Sequence, residues 1–136
     1  MKKLVTILLL MVLISCGSSP SRTIPTSNTD YEKIIGIPIK ISNIEVAQYS
    51  FPFRMNWDYA NKACAQLGDG WRLPTKDESY TLYQNKDKIR RFFVNDVYWT
   101  STENSEEIAW FQSFDNGGQF YNGKNAKYYV RAIRTF

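Results

Sequence analysis

The hydrophobic pattern changes character several times along the chain. Leu4 to Ile14 is an uncharged, almost wholly apolar run of eleven residues behind Lys2 and Lys3. As a helix it would rise only about 16 Å, roughly half a bilayer's hydrocarbon core. It therefore predicts a secretory signal peptide rather than a membrane span. The next stretch, "GSSPSRTIPTSNTD", holds few large apolar residues and cannot bury enough surface to offset its ordering entropy. A flexible tether is expected there, reaching at most about 45–50 Å. In "IPIKISNIEVAQYSF" the apolar positions alternate, Ile39 with Ile41 and, after a register break, Ile44 with Val46. That is strand spacing. The segment "MNWDYANKACAQLGDG" then takes helical spacing, with Trp57, Ala60, Cys64 and Leu67 on one stripe beside Ala63. Asn56 suits its N-cap, Asp58 its positive first turn, and Gly68 the position past its end.

The run "GWRLPTKDE" follows. Its first half reads as an extended link, with Trp71 and Leu73 on the face that packs under two helices and Arg72 on the other. Pro74 has no donor, and Thr75 with Glu78 has capping-box spacing for a second helix, "KDESYTLYQN". Arg72 is either a ligand-contacting guanidinium or a bridge to carboxylates and carbonyls. The corner of Trp71, Arg72, Leu73, Pro74, Thr75 and Glu78 reads as scaffold. In "NKDKIRRFFVND", Ile89, Phe92 and Phe93 would anchor a short helix whose Lys86, Lys88, Arg90 and Arg91 stay in water. The remainder is β-like. "VYWTSTE", "IAWFQSF", "GQFY" and "KYYVRAIRTF" are separated by "NSEE", "DNGG" and "NGKNA", which tolerate tight turns. Strand, two helices and then an antiparallel meander make an α+β domain.

Charge and chemistry narrow the picture. Without Lys2 and Lys3 the chain carries 15 basic residues against 13 acidic, a balance that gives no reason to expect nucleic acid. Histidine is absent, which excludes Ser-His-Asp and Cys-His relays and any histidine metal ligand. No cofactor or metal is implied. Cys64, in mid-stripe, reads as a small core side chain. The stretch "LISC" resembles a bacterial lipobox, which implies cleavage before Cys16 and acylation of its thiol. Gly17 in place of aspartate then implies sorting to the outer membrane. The organisation expected is residues 1–15 as signal peptide, 16–30 as lipidated cysteine and tether, and 31–136 as one domain.

Six motifs in order, "IEVAQYS", "MNWDYANKAC", "GDGWRLPTKDE", "YWTSTE", "AWFQSF" and "YYVRAIR", carry a resemblance. From about Ile44 to Phe136 the chain resembles the bacterial exported family named for the C-terminal domain of the Lcl collagen-like adhesin. The resemblance implies a C-type-lectin-like fold, similar also to formylglycine-generating enzymes. Two helices would pack on a twisted antiparallel sheet, with "IEVAQYS" and "YYVRAIR" paired as the first and last strands. The adhesin's domain binds sulfated polysaccharide. The Arg72 to Thr75 corner is shared with formylglycine-generating enzymes, but the late cysteine pair their chemistry needs is missing. So are the Glu-Pro-Asn or Gln-Pro-Asp and Trp-Asn-Asp triplets of calcium-dependent lectins.

Two surfaces are candidate sites. In "DNGGQFYNGKNAK", Asn116 and Asn122 offer amides, Phe120 and Tyr121 could stack on a sugar, and Lys124 and Lys127 could hold acidic groups. The same residues could equally be turns and a short strand. The second surface is the basic cluster Lys86, Lys88, Arg90 and Arg91, set to meet sulfated glycan, lipid phosphate or a membrane surface, or to be a solvated helix face. Trp57, Trp71, Trp99 and Trp110 are read as core. The expected function is a non-catalytic, lipid-anchored envelope module, with polysaccharide as the leading ligand. A structural or protein-binding lipoprotein is the alternative, and a formylglycine-generating type of enzyme the third.

Overall fold

The computed structural model describes residues 27–92 and 95–136. The signal peptide, Cys16, most of the tether and Phe93 lie outside the described residues. Among those described, no helix is long and apolar enough to cross a membrane. The chain order is α1 (Asn28–Ile35), β1 (Ile39–Ile41), β2 (Ile44–Val46), α2 (Trp57–Gln66), α3 (Lys76–Gln84), α4 (Lys86–Ile89), β3 (Val97–Glu103), β4 (Ile108–Ser113), β5 (Gln119–Gly123) and β6 (Ile133–Thr135). The predicted register break between Ile41 and Ile44 is a tight hairpin with Ser42 at φ 53°.

The strands form two antiparallel sheets of three, ordered β1-β2-β6 and β3-β4-β5, rather than the single sheet expected. A parallel bridge ties Tyr98 of β3 to Tyr129, in the segment that leads into β6. The strands of "IEVAQYS" and "YYVRAIR" pair as anticipated, β2 with β6, Val46 opposite Ile133 and Ile44 opposite Thr135, while β1 adds an outer strand before them. "KYYVRAIRTF" is regular only over β6. Before it, single contacts hold the chain: Ala47 N–H donates to Ala132 O and Phe51 N–H to Val130 O. The break coincides with Arg131, whose side chain turns into the interior.

Asn56 caps α2 by accepting from the Tyr59 N–H at 2.9 Å, and the predicted stripe is buried after the half-covered Trp57, with Ala60, Ala63 and Cys64 fully covered. Burial pushes the Cys64 thiol far above its ordinary pKa, so it is a packing residue. One cluster under α2 and α1 gathers Phe51, Met55, Trp71, Leu73, Trp99 and Val130. A second, toward α3 and α4, gathers Ile41, Val46, Leu82, Ile89, Tyr98 and Ile133. Tyr98 and Trp99 are sequence neighbours serving opposite clusters, as strand alternation dictates.

Helix α1 is not foreseen by the sequence reading, which placed tether up to residue 30. Tyr31, Ile34 and Ile35 stand at i, i+3 and i+4 and face the first cluster, and Ile34 is buried. Helix α1 thus starts three residues before the expected boundary at 31. The strand that follows is entered through Gly36 at φ 54°.

Candidate functional site

The Trp-Arg-Leu-Pro-Thr corner is tied into the fold on several sides. Trp71 and Leu73 are buried, and Arg72 exchanges two backbone hydrogen bonds with Ile133 of β6. The Arg72 guanidinium donates to both carboxylate oxygens of Glu78 at 2.8 Å and to Thr135 Oγ1 at 3.2 Å. Glu78 also accepts from the Thr75 N–H while Thr75 Oγ1 accepts from the Glu78 N–H, so the capping box forms as spaced. The Arg72 hydrogen bonds hold the Glu78 carboxyl below its usual range.

The surface expected at 115–127 comes apart. Phe120 and Tyr121 are both about half exposed, yet they sit on opposite faces of β5. Phe120 lies against Phe111 at 5.8 Å, and Tyr121 meets Trp110 edge-on at 5.0 Å. Adjacent strand residues cannot stack on one sugar, because their side chains alternate. The Asn116 amide oxygen accepts from the Gly118 N–H, closing its own turn. Asn122 donates to the Tyr128 hydroxyl and accepts from the Gly123 N–H. Lys124 is spent internally. Its ammonium donates to Glu103 Oε2 at 2.8 Å and to Glu106 O at 2.6 Å, and lies 4.3 Å above the Trp57 ring. Of the four tryptophans, Trp71 and Trp99 are core. Trp57 and Trp110 are half-buried beneath Lys124 and Lys76.

Lys127 belongs elsewhere. It lines a cleft of about 640 Å³ with Phe53, Arg54, Asn56, Tyr59 and Tyr129 among its walls. Two backbone hydrogen bonds between Met55 and Tyr128 bring the 52–56 loop to the 127–129 segment. The Arg54 guanidinium donates to both oxygens of Asp96 at 2.9 and 3.0 Å and lies 5.0 Å from the Tyr129 ring centre. Arg54, Tyr59 and Tyr129 were missed because only that long-range pairing brings them together. The one local sign was an arginine among aromatics in "FPFRMNW".

The basic residues between 86 and 91 do not share one helix face. Helix α4 ends at Ile89, so Lys86 and Lys88 are helical while Arg90 and Arg91 sit at φ 57° and 56°. Lys86, Arg90 and Arg91 line a second cleft, of about 510 Å³, with Asp87 and Asp115 also on its walls. Its floor is Phe92 stacked on Phe114 at 4.1 Å. Lys88 is exposed and not among the lining residues. The two clefts are neighbours: Arg54 lines the first, and its partner Asp96 adjoins Asn95 of the second.

Arg131 holds this region together. Its side chain is buried, and it donates to Ala47 O, Gln48 O, Ser50 Oγ, Arg90 O and Arg91 O at 2.6 to 3.3 Å. The Phe92 ring lies 4.5 Å away. Burial pushes the guanidinium down to about 10, so it stays charged at neutral pH. The unusual backbone at 90–91 is what turns those carbonyls toward it. Among the described residues, no group of three or more metal-ligating side chains comes together.

Comparison with known proteins agrees with this architecture. The family model for the Lcl C-terminal domain matches residues 39–134. The chain belongs to the Lcl C-terminal domain family. Within that family assignment the fold is C-type-lectin-like. Botrocetin superposes with a TM-score of 0.57 at 12% identity, covering 73% of this chain and 96% of botrocetin. Botrocetin bound to a mutant von Willebrand factor A1 domain gives 0.57 at 11%, with the same coverage. EMS16, an antagonist of the collagen receptor integrin alpha2beta1, gives 0.54 at 13%, covering 73% and 97%. No curated protein is similar enough to the chain to count as a relative.

Proposed function

We propose that this Lcl C-terminal domain is a non-catalytic binding module for acidic polysaccharide, held at the bacterial envelope by an acylated Cys16. The observation that carries the reading is the pair of adjoining basic clefts. Lys127 and Arg54 stand beside the Tyr59 and Tyr129 rings in one, and Lys86, Arg90 and Arg91 over a Phe92–Phe114 floor in the other. Cations meet sulfate or carboxylate groups, while ring faces cover the apolar faces of sugars. A polymer can use both clefts at once, so weak contacts add along its length.

Retention of the solubilised full chain on a heparin column, against a neutral dextran column, tests this. Retention on heparin alone, falling steeply with added salt, is expected. Lys127→Glu combined with Arg91→Glu should abolish it without lowering Tm. Equal retention of parent and variant would refute the cleft assignment. Acylation is tested by the mass of the mature N-terminal peptide, which should begin at Cys16 and carry lipid.

A protein partner is the second reading. It is favoured by the exposed aromatic strand β5 and by what the similar structures bind: a von Willebrand factor A1 domain for botrocetin, an integrin for EMS16.

A further inference from the structure

We propose that strand β5 is a self-association edge, pairing antiparallel with β5 of a second copy about a twofold axis at Phe120. The other strand edges are closed or guarded. β6 is met by Arg72, and β3 is covered by Trp99 N–H donating to Tyr129 O and Ser101 N–H donating to Pro74 O. β1 is only three residues long and carries Lys40, a common way to discourage edge pairing. β5 has neither protection: Gln119 to Gly123 contains no charge and no proline, and Phe120 and Tyr121 are 50% and 55% exposed.

The backbone pattern fixes the register. Ser113 N–H donates to Gly118 O and Lys124 N–H to Glu107 O, so residues 118, 120, 122 and 124 direct their backbone groups to β4. Residues 119, 121 and 123 therefore direct theirs outward. Gly123 is already satisfied, its N–H by the Asn122 amide oxygen and its carbonyl by the Ala126 N–H. That leaves the N–H and C=O of Gln119 and Tyr121, which have no hydrogen-bond partner among the described residues. Centring a twofold on Phe120 sets Gln119 opposite Tyr121 of the copy, and the reverse. Both pairs are then of the kind that exchanges two hydrogen bonds, so all four outward groups on each chain are used. The two Phe120 rings meet across the axis in a close, non-hydrogen-bonded pair. A copy satisfies this arrangement by symmetry, and the uncharged edge opposes it with no like charges. So short a seam gives a weak dimer.

Cysteine cross-linking of the solubilised full chain reads out both the dimer and its register. Side chains in a close pair lie within disulfide reach, so Phe120→Cys should give a disulfide dimer under mild oxidation, linked Cys-to-Cys at 120 by mass spectrometry. Tyr121→Cys should cross-link several-fold less, and the parent chain should show only background. Adding Tyr121→Pro to Phe120→Cys removes one outward N–H and no β4 bond, and should erase the dimer while circular dichroism stays unchanged. A Phe120→Cys chain that stays monomeric, or cross-links no better than Tyr121→Cys, overturns the proposal. So does a chain that stays monomeric when pure but joins a different protein in oxidised membranes, which would assign the edge to a foreign strand.

Discussion

Glu78 does two jobs with one carboxylate, capping α3 and gripping Arg72. Its folded pKa lies below the ordinary value of 4.5, so its contribution is fully present above that pH and fades as pH falls through the folded value. Glu78→Gln should cost about 1 kcal/mol at pH 7, since the pair is partly open to water. The difference between parent and variant should shrink progressively below pH 4.5 in urea titrations. A constant difference down to pH 2 would mean the charge plays no part. Lys124 shows the same economy, its ammonium shared among Glu103, Glu106 and Trp57. The sequence offered it as a free cation, because nothing local reveals that the fold sets Lys124 between the 103–107 hairpin loop and Trp57.

At the scale of elements, α3 rests on the second sheet through a close contact at Gly117. A Cβ there would lie 2.4 Å from Tyr83 Cε1, and the backbone sits at φ 76°. Tyr83 cannot easily yield, being packed between Tyr80 and Phe114. Gly117→Ala should cost about 2 kcal/mol, a fall in Tm on the order of 10 °C. Elements whose periodicity and caps are local were legible in the sequence. The α2 stripe, the Thr75–Glu78 box and the β3–β4–β5 meander all follow from residues within one or two turns of each other. The α1 helix was not legible, because its three apolar positions gain meaning only once Gln48 and Tyr49 donate to the carbonyls of Ile35 and Ile34. The candidate site was legible only in its cations. Lys127, Arg90 and Arg91 stood out, but the rings beside Lys127 are gathered by a pairing across more than seventy residues, and Phe114 meets Phe92 only once β4 is in place.

For the whole molecule, the guanidinium of Arg131 is the tie among three distant stretches: residues 47–50, 90–91 and the segment leading to the last strand. Among the described residues no carboxylate pairs with it, so its burial is tolerable only when every donor has found an acceptor. The acceptors lie at residues 47–50 and 90–91, so the tie is expected to form only after those stretches have met the last strand's approach. Lysine at 131 cannot reproduce a planar fork of five donors, and Arg131→Lys should cost about 3 kcal/mol. Stopped-flow kinetics should place nearly all of that loss in faster unfolding, with refolding scarcely changed. A slowed refolding limb would instead put the tie in the folding nucleus. The natural arginine thus acts as a clasp that shuts last and is the first that unfolding must break, giving a small domain without disulfides among its described residues a long residence in its native state.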